Sequence, residues 1–232
     1  MFKILIKSIV VLGVIITGVL TYAGYFNSDP FVMVKPSAPP APARAGLAAI
    51  YLSGDMGFDF GTGGRVMERL AADGIPVVGV NSATFFRKRS TPAEISAMLS
   101  DAAKHALAFG HAQRLVLIGQ SFGADMLQAG LPGLPNAVRA KVKSIALIAP
   151  TKSVYFQISP VEMLDRSTPD AVGITTGRLL TWVPSLCIYG QHDKGSLCPQ
   201  LTQANMVKKS LPGGHLMHKD GNAIYTALGS AL

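Results

Sequence analysis

Arg114-Leu115-Val116-Leu117-Ile118-Gly119-Gln120-Ser121-Phe122-Gly123 decides the fold. A short apolar, β-branched run ends in Gly-x-Ser-x-Gly, and Phe122 to Leu131 is rich in helix formers such as Ala, Met, Leu and Gln. Strand, sharp turn and helix in that order make a nucleophile elbow, which lifts the serine hydroxyl onto the turn and exposes it. Side chains at Gly119 and Gly123 would collide with the neighbouring strand and helix. Ser121 is therefore a candidate nucleophile. The plain alternative is an ordinary tight βα turn with a surface serine, so the motif needs partners elsewhere in the chain.

Outward from the elbow, strands and helices alternate. Leu47–Leu52, Ile75–Val80, Leu115–Ile118, Ser144–Ala149 and Leu186–Tyr189 are short apolar runs, and Val207–Leu211 is a weaker one. Helices are expected over Gly61–Asp73, Thr91–Phe109 and about Ala223–Leu232. Thr91-Pro92-Ala93-Glu94 has the form of a capping box with proline in the first helical turn. Strands this uniformly apolar are buried on both faces, and their alternation with helices implies a mostly parallel sheet covered on both sides. The expected fold class is α/β, in a minimal α/β-hydrolase layout. Thr151–Val183, with Pro160 and Pro169, is the least regular part and sits where such folds insert a cap; its length allows only a small one.

A serine hydroxyl needs a base to take its proton, and the base needs an acid to fix its tautomer. In this layout the chain order is Ser, Asp or Glu, then His. Tyr189-Gly190-Gln191-His192-Asp193 puts Asp193 on the loop after a strand, where ligand sites of such sheets gather. Pro212-Gly213-Gly214-His215 puts His215 on a glycine-rich loop after the last strand. His105 and His111 precede the elbow, and His192 and His218 lack this placement. Ser121, Asp193 and His215 are the expected triad. The oxyanion of an acyl transfer needs backbone donors. Phe122 N–H is one; the other is expected from Ser53-Gly54-Asp55-Met56-Gly57, at Asp55. The Asp55 side chain would then point away and take a cationic part of a substrate, or else order its loop as an Asx turn. Asp125 is a second candidate for that cation, or a structural residue of its helix. No metal or cofactor is expected.

The N-terminus bears on compartment. Lys3 and Lys7 precede an uncharged, largely apolar stretch to Ser28, the pattern of an export segment. Residues 1–28 read as a signal peptide, with Thr21-Tyr22-Ala23 as its cleavage site, or as an uncleaved signal anchor. Residues 29–46, rich in Pro and Ala, read as an extended linker, and residues 47–232 as the hydrolase domain. Both readings of the export segment place that domain in the periplasm, tethered to the inner membrane if it is uncleaved. The hydrophobic fraction of 49% and charged fraction of 15% exclude disorder. The net charge of +8 is spread over small clusters, Arg87-Lys88-Arg89 among them, without a nucleic-acid motif. An anionic membrane surface suits it better, the plain alternative being a generally basic periplasmic protein. Cys187 and Cys198, the only cysteines, suggest one disulfide in an exported chain, the alternative being two buried thiols. A bridge would clamp the loop that carries Asp193, so reduction should cost activity before it costs the fold.

The export segment, Tyr51-Leu52-Ser53-Gly54-Asp55, Gly119-Gln120-Ser121-Phe122-Gly123-Ala124-Asp125, Cys187-Ile188-Tyr189-Gly190 and Cys198-Pro199 together resemble the VirJ/AcvB family of bacterial virulence proteins. The resemblance covers about residues 47–232. It implies a periplasmic α/β-hydrolase-like protein of the short form, with Ser121, Asp193 and His215 as triad. Some members are linked to type IV secretion, and longer, two-domain members to hydrolysis of aminoacylated phosphatidylglycerol. Met56 and Phe58 depart from the glycine and tryptophan common in the family, beside the oxyanion loop. The expected function is an exported serine esterase acting on an aminoacyl ester such as lysyl-phosphatidylglycerol. The alternatives are a periplasmic accessory that binds type IV secretion components with the hydrolase fold as scaffold, and a general carboxylesterase with a small substrate.

Overall fold

The computed structural model describes residues 2–159 and 168–232. Its elements run α1 (Phe2–Tyr22), β1 (Phe31–Val34), β2 (Leu47–Leu52), α2 (Gly63–Ala72), β3 (Val77–Val80), α3 (Ser82–Phe85), α4 (Pro92–Phe109), β4 (Arg114–Gln120), α5 (Phe122–Gly130), α6 (Asn136–Arg139) and β5 (Val142–Ile148). They continue with β6 (Ser153–Val154), β7 (Ala171–Val172), α7 (Gly173–Gly177), β8 (Ser185–Gly190), β9 (Met206–Leu211) and α8 (Gly221–Leu228). Seven strands form one sheet in the order β1-β3-β2-β4-β5-β8-β9. Every neighbouring pair is parallel except β1 with β3.

Side chains of a strand alternate between faces, and β2 shows how this chain uses both. Ala48, Ile50 and Leu52 join the core under α4 and α5, whereas Leu47, Ala49 and Tyr51 join the core under α2 and α8. All six are buried, which is why the run carries no polar alternation. Thr91 caps α4: its hydroxyl accepts the Glu94 N–H, and the Glu94 carboxylate accepts the Thr91 N–H. A cap of this kind contributes about 1 kcal/mol.

The stretch expected to be an extended linker runs along the domain and is tied to it. Phe31–Val34 pairs antiparallel with β3 as an edge strand. Beyond it, Ser37 N–H bonds Ala71 O, and Arg44 pairs with Asp73. Phe31–Val34, ahead of the prolines, is too short an apolar run to announce a strand on its own. The cap segment carries the β6–β7 hairpin and α7; Pro160 lies outside the described residues. Among the described residues, no helix is long and apolar enough to cross a membrane.

Candidate active site

β4 runs into the elbow and Ser121 takes φ 52°, ψ −121°. A left-handed φ on a non-glycine residue costs of order 1–3 kcal/mol and persists only where its surroundings enforce it. Here Ser121 N–H bonds Ile148 O at 2.7 Å, and Ser121 O accepts from Ala124 and Asp125 N–H. The flanking glycines are sterically required. A Cβ on Gly119 would lie 2.5 Å from Gly123 O, and one on Gly123 would lie 2.4 Å from Ser53 O. Gln120 adds a brace that sequence reading missed. Tyr51 Oη donates to Gln120 Oε1 at 2.7 Å, and Gln120 Nε2 donates to Thr62 Oγ1 at 2.9 Å. Burial pushes the Tyr51 phenol up, so it stays a neutral donor. The one hydroxyl inside the apolar run Leu47–Leu52 was the available signal.

The three candidate residues meet. Ser121 Oγ lies 2.8 Å from His215 Nε2, and His215 Nδ1 lies 2.9 Å from Asp193 Oδ2. The Asp193 side chain is only 8% exposed, and its other oxygen accepts the Gly195 N–H at 3.0 Å. Its loop is fastened on several sides. Cys187 on β8 and Cys198 just past the loop form a disulfide, both fully buried. Leu197 N–H bonds Pro150 O, Lys152 N–H bonds Gly195 O, and Thr151 bridges Ser196. On the histidine side, Gly213 adopts φ 98°. A Cβ on Gly190 would lie 2.0 Å from Gly214 O, so the two loops pack backbone to backbone. Gly213 meets the expectation of a glycine-dependent loop; Gly214 has a free Cβ position and no left-handed φ.

Phe122 N–H opens α5, where the first amides have no partner within the helix. The Asp55 loop lies against the elbow, since a Cβ on Gly54 would come within 3.8 Å of Ser121 Cβ. Ser82 fixes the loop's start, donating through N–H to Ser53 Oγ and through Oγ to Ser53 O. Asp55 is half-buried, and among the described residues its carboxylate has no hydrogen-bond or ion-pair partner. It lines a cleft of about 610 Å³ with Ser121, His215, Leu216, Tyr155 and Ile158. The cap residues Tyr155 and Ile158 were not foreseen.

Asp125 ties its helix to the segment after β5 through Thr151. Its carboxylate is buried, with Oδ1 accepting Thr151 N–H at 2.7 Å and Oδ2 lying 2.6 Å from Thr151 Oγ1. Both oxygens are engaged by Thr151, and Asp125 also lines the cleft with Asp55. Burial pushes its pKa up to about 8 against the pull of the Thr151 hydrogen bonds. The Thr151 hydroxyl also lies 2.7 Å from Ser153 O. It has one hydrogen for two acceptors, so a proton on Asp125 completes the network.

Residues 46–232 match the family described as bacterial virulence protein (VirJ). The chain belongs to that family. No curated protein matches it in sequence. Among solved structures it is similar to Est1E from Butyrivibrio proteoclasticus, with TM-score 0.61, 13% identity, and coverage of 86% of this chain and 91% of that one. It is also similar to MenH from S. aureus, with TM-score 0.59, 12% identity, and coverage of 86% and 98%. A proline iminopeptidase from Mycobacterium smegmatis follows at TM-score 0.58 and 14% identity, with coverage of 86% and 92%. At these identities the likeness is one of fold, and the fold is that of the α/β-hydrolases. Fold alone does not fix chemistry. The chemistry has to come from the arrangement at Ser121: a serine hydroxyl, an imidazole within hydrogen-bond distance of it, a buried carboxylate behind the imidazole, and, lining the same cleft, a carboxylate without a partner among the described residues.

Proposed function

We propose that this protein is an exported serine hydrolase that cleaves aminoacyl esters, with lysyl-phosphatidylglycerol as substrate. The observation that carries the reading is the Ser121–His215–Asp193 relay beside the unpartnered Asp55 carboxylate. Ser121 Oγ attacks the aminoacyl carbonyl while His215 Nε2 takes its proton. Asp193 holds the other imidazole nitrogen and stabilises the imidazolium. The backbone N–H groups of Phe122 and Asp55 receive the oxyanion. His215 then protonates the leaving glycerol oxygen, and water, deprotonated by His215, releases the amino acid from Ser121. An aminoacyl ester carries its α-ammonium two bonds from the carbonyl carbon. A carboxylate on the oxyanion loop disfavours the transition state for a neutral acyl group and suits one with an ammonium there. The basic chain and export segment agree with an anionic lipid substrate outside the cytoplasm.

The test compares the purified chain with Ser121→Ala on lysyl-phosphatidylglycerol and on short-chain esters, reading released amino acid or acid. The expected result is release from the aminoacyl lipid that falls at least about a thousandfold in Ser121→Ala. Asp55→Asn should lower kcat/KM for the aminoacyl ester and raise it for an acetyl ester. Release that does not depend on Ser121 from either class would sink the enzyme reading. Binding of secretion components that survives Ser121→Ala without turnover would favour the scaffold.

A further inference from the structure

The junction after α1 is built into the hydrolase domain on the side of the Asp55 loop. Ala23 is 2% exposed and Gly24 is buried at φ 79°. Asn81, itself buried, donates from Nδ2 to Ala23 O at 3.0 Å, and Thr84 Oγ1 donates to Gly24 O at 2.7 Å. Arg87 Nη1 donates to Tyr25 O and Asn27 O. The oxyanion loop meets the same turn. A Cβ on Gly57 would lie 2.5 Å from Ala23 O, and the Tyr22 ring stands edge-on to Phe60 at 5.0 Å. α1 therefore meets the domain at Gly57, two residues along the chain from the cleft-lining Asp55, through a fixed joint.

Two further features say what lies beyond that joint. Val10, Val11, Leu12, Val14, Ile15 and Ile16 of α1 are each 45–68% exposed. Beside the joint, Lys88 is exposed next to Arg87 in the basic Arg87-Lys88-Arg89 run. An apolar helix with cations at its base matches an anionic lipid surface. A cut after Ala23 would strip the acceptor from the buried Asn81 amide. It would also put a charged amine on Gly24, which is buried.

We infer that α1 stays on the mature chain and that its rigid joint turns the Ser121 cleft toward the anionic lipid in which α1 sits. The inference rests on the lipid-ester reading for its purpose, and its test does not read turnover. Export the full chain in a bacterial host and take the intact mass from the membrane fraction. The full-chain mass is expected; a mass lacking residues 1–23 overturns retention. For orientation, label Leu216→Cys at the cleft rim with an environment-sensitive fluorophore, and Gln113→Cys at the opposite end of the sheet as reference. Neither native cysteine is free to react. On adding phosphatidylglycerol vesicles, the Leu216 label should shift to the blue and brighten severalfold, with the Gln113 label unchanged. Eight Gly/Ser residues inserted between Tyr22 and Ala23 should keep vesicle binding and abolish the Leu216 response. Equal responses at both labels, no response at Leu216, an insertion that changes nothing, or a shift that needs only a higher protein concentration each overturn it. The last of these would mean that a second copy covers α1.

Discussion

Asp193 and His215, the proposed acid and base, sit in loops held to different degrees. Asp193 sits in a loop closed by a disulfide, bridged to Thr151 through Ser196, tied to Pro150 and Lys152, and braced internally by Gly195 N–H. His215 rides on a loop in which Gly213, Met217, His218 and Lys219 all take left-handed φ, and its neighbour Leu216 is 61% exposed. Among the described residues, the imidazole's side-chain hydrogen bonds are those to Ser121 and Asp193. His192 N–H bonds Gly213 O and Arg65 donates to Lys219 O, so the fold also holds this loop, while on the proposed reading Asp193 sets the orientation of the imidazole. Damage on the acid side should reach Ser121 only through His215.

The largest expected effect breaks that chain at its middle link. Asp193→Asn keeps the size and the Gly195 contact but presents an amide N–H to His215 Nδ1, or loses the acceptor that selects the tautomer. With Nε2 then protonated, His215 cannot accept from Ser121. The expected loss is about 10³–10⁴ in kcat with little change in KM, read by steady-state kinetics on the aminoacyl ester. A loss confined to KM would mean that Asp193 acts on substrate rather than on His215.

Much of this side was legible in the chain because it is local. The elbow is a ten-residue pattern, the acid follows a strand by a fixed few residues, and the cysteines bracket it. The strand runs were legible because burial on both faces removes polar alternation. What escaped depends on contacts between distant segments. Phe31–Val34 becomes a strand only because β3 offers an edge, and four residues carry too little periodicity to announce that. Thr151 is an ordinary residue after Pro150 until Asp125, twenty-six positions earlier, is folded beneath it. Gln120 looked like an arbitrary filler of the motif, and its brace runs to Tyr51 and Thr62 on other elements.

Asp125 tests the foundation of the acid side. Its folded pKa is raised to about 8 from 3.8 by burial. Below about pH 4 both folded and unfolded chains hold the proton. Between about pH 4 and 8 the unfolded chain has released it and the fold retains it, so stability falls as pH rises. Above about pH 8 both are ionised and the dependence ends. The slope approaches about 1.4 kcal/mol per pH unit for one proton. Asp125→Asn supplies a permanent donor to Thr151 Oγ1 and an acceptor for its N–H, and it removes this titration. Denaturant unfolding at pH 5 and pH 8 should show the wild type losing stability relative to the variant. Parallel curves would mean that Asp125 is ionised in the fold and that Thr151 donates to it.

The disulfide gives the smallest effect and the sharpest comparison. Its loop is short, eleven residues of separation, so the chain-entropy model assigns roughly 2–3 kcal/mol to the bridge. A parallel sheet with two cores should survive that loss. The disulfide is nevertheless one of the ties on the Asp193 loop, and without it the carboxylate samples positions from which it no longer holds His215. Replacing both Cys187 and Cys198 by Ala should lower the midpoint of unfolding modestly and cut kcat about tenfold in a chain that is still folded at 25 °C. The same change should add little in an Asp193→Asn background, because the loop would have nothing left to position. A full tenfold cut in that background would show that the clamp acts on the cleft itself rather than through the acid.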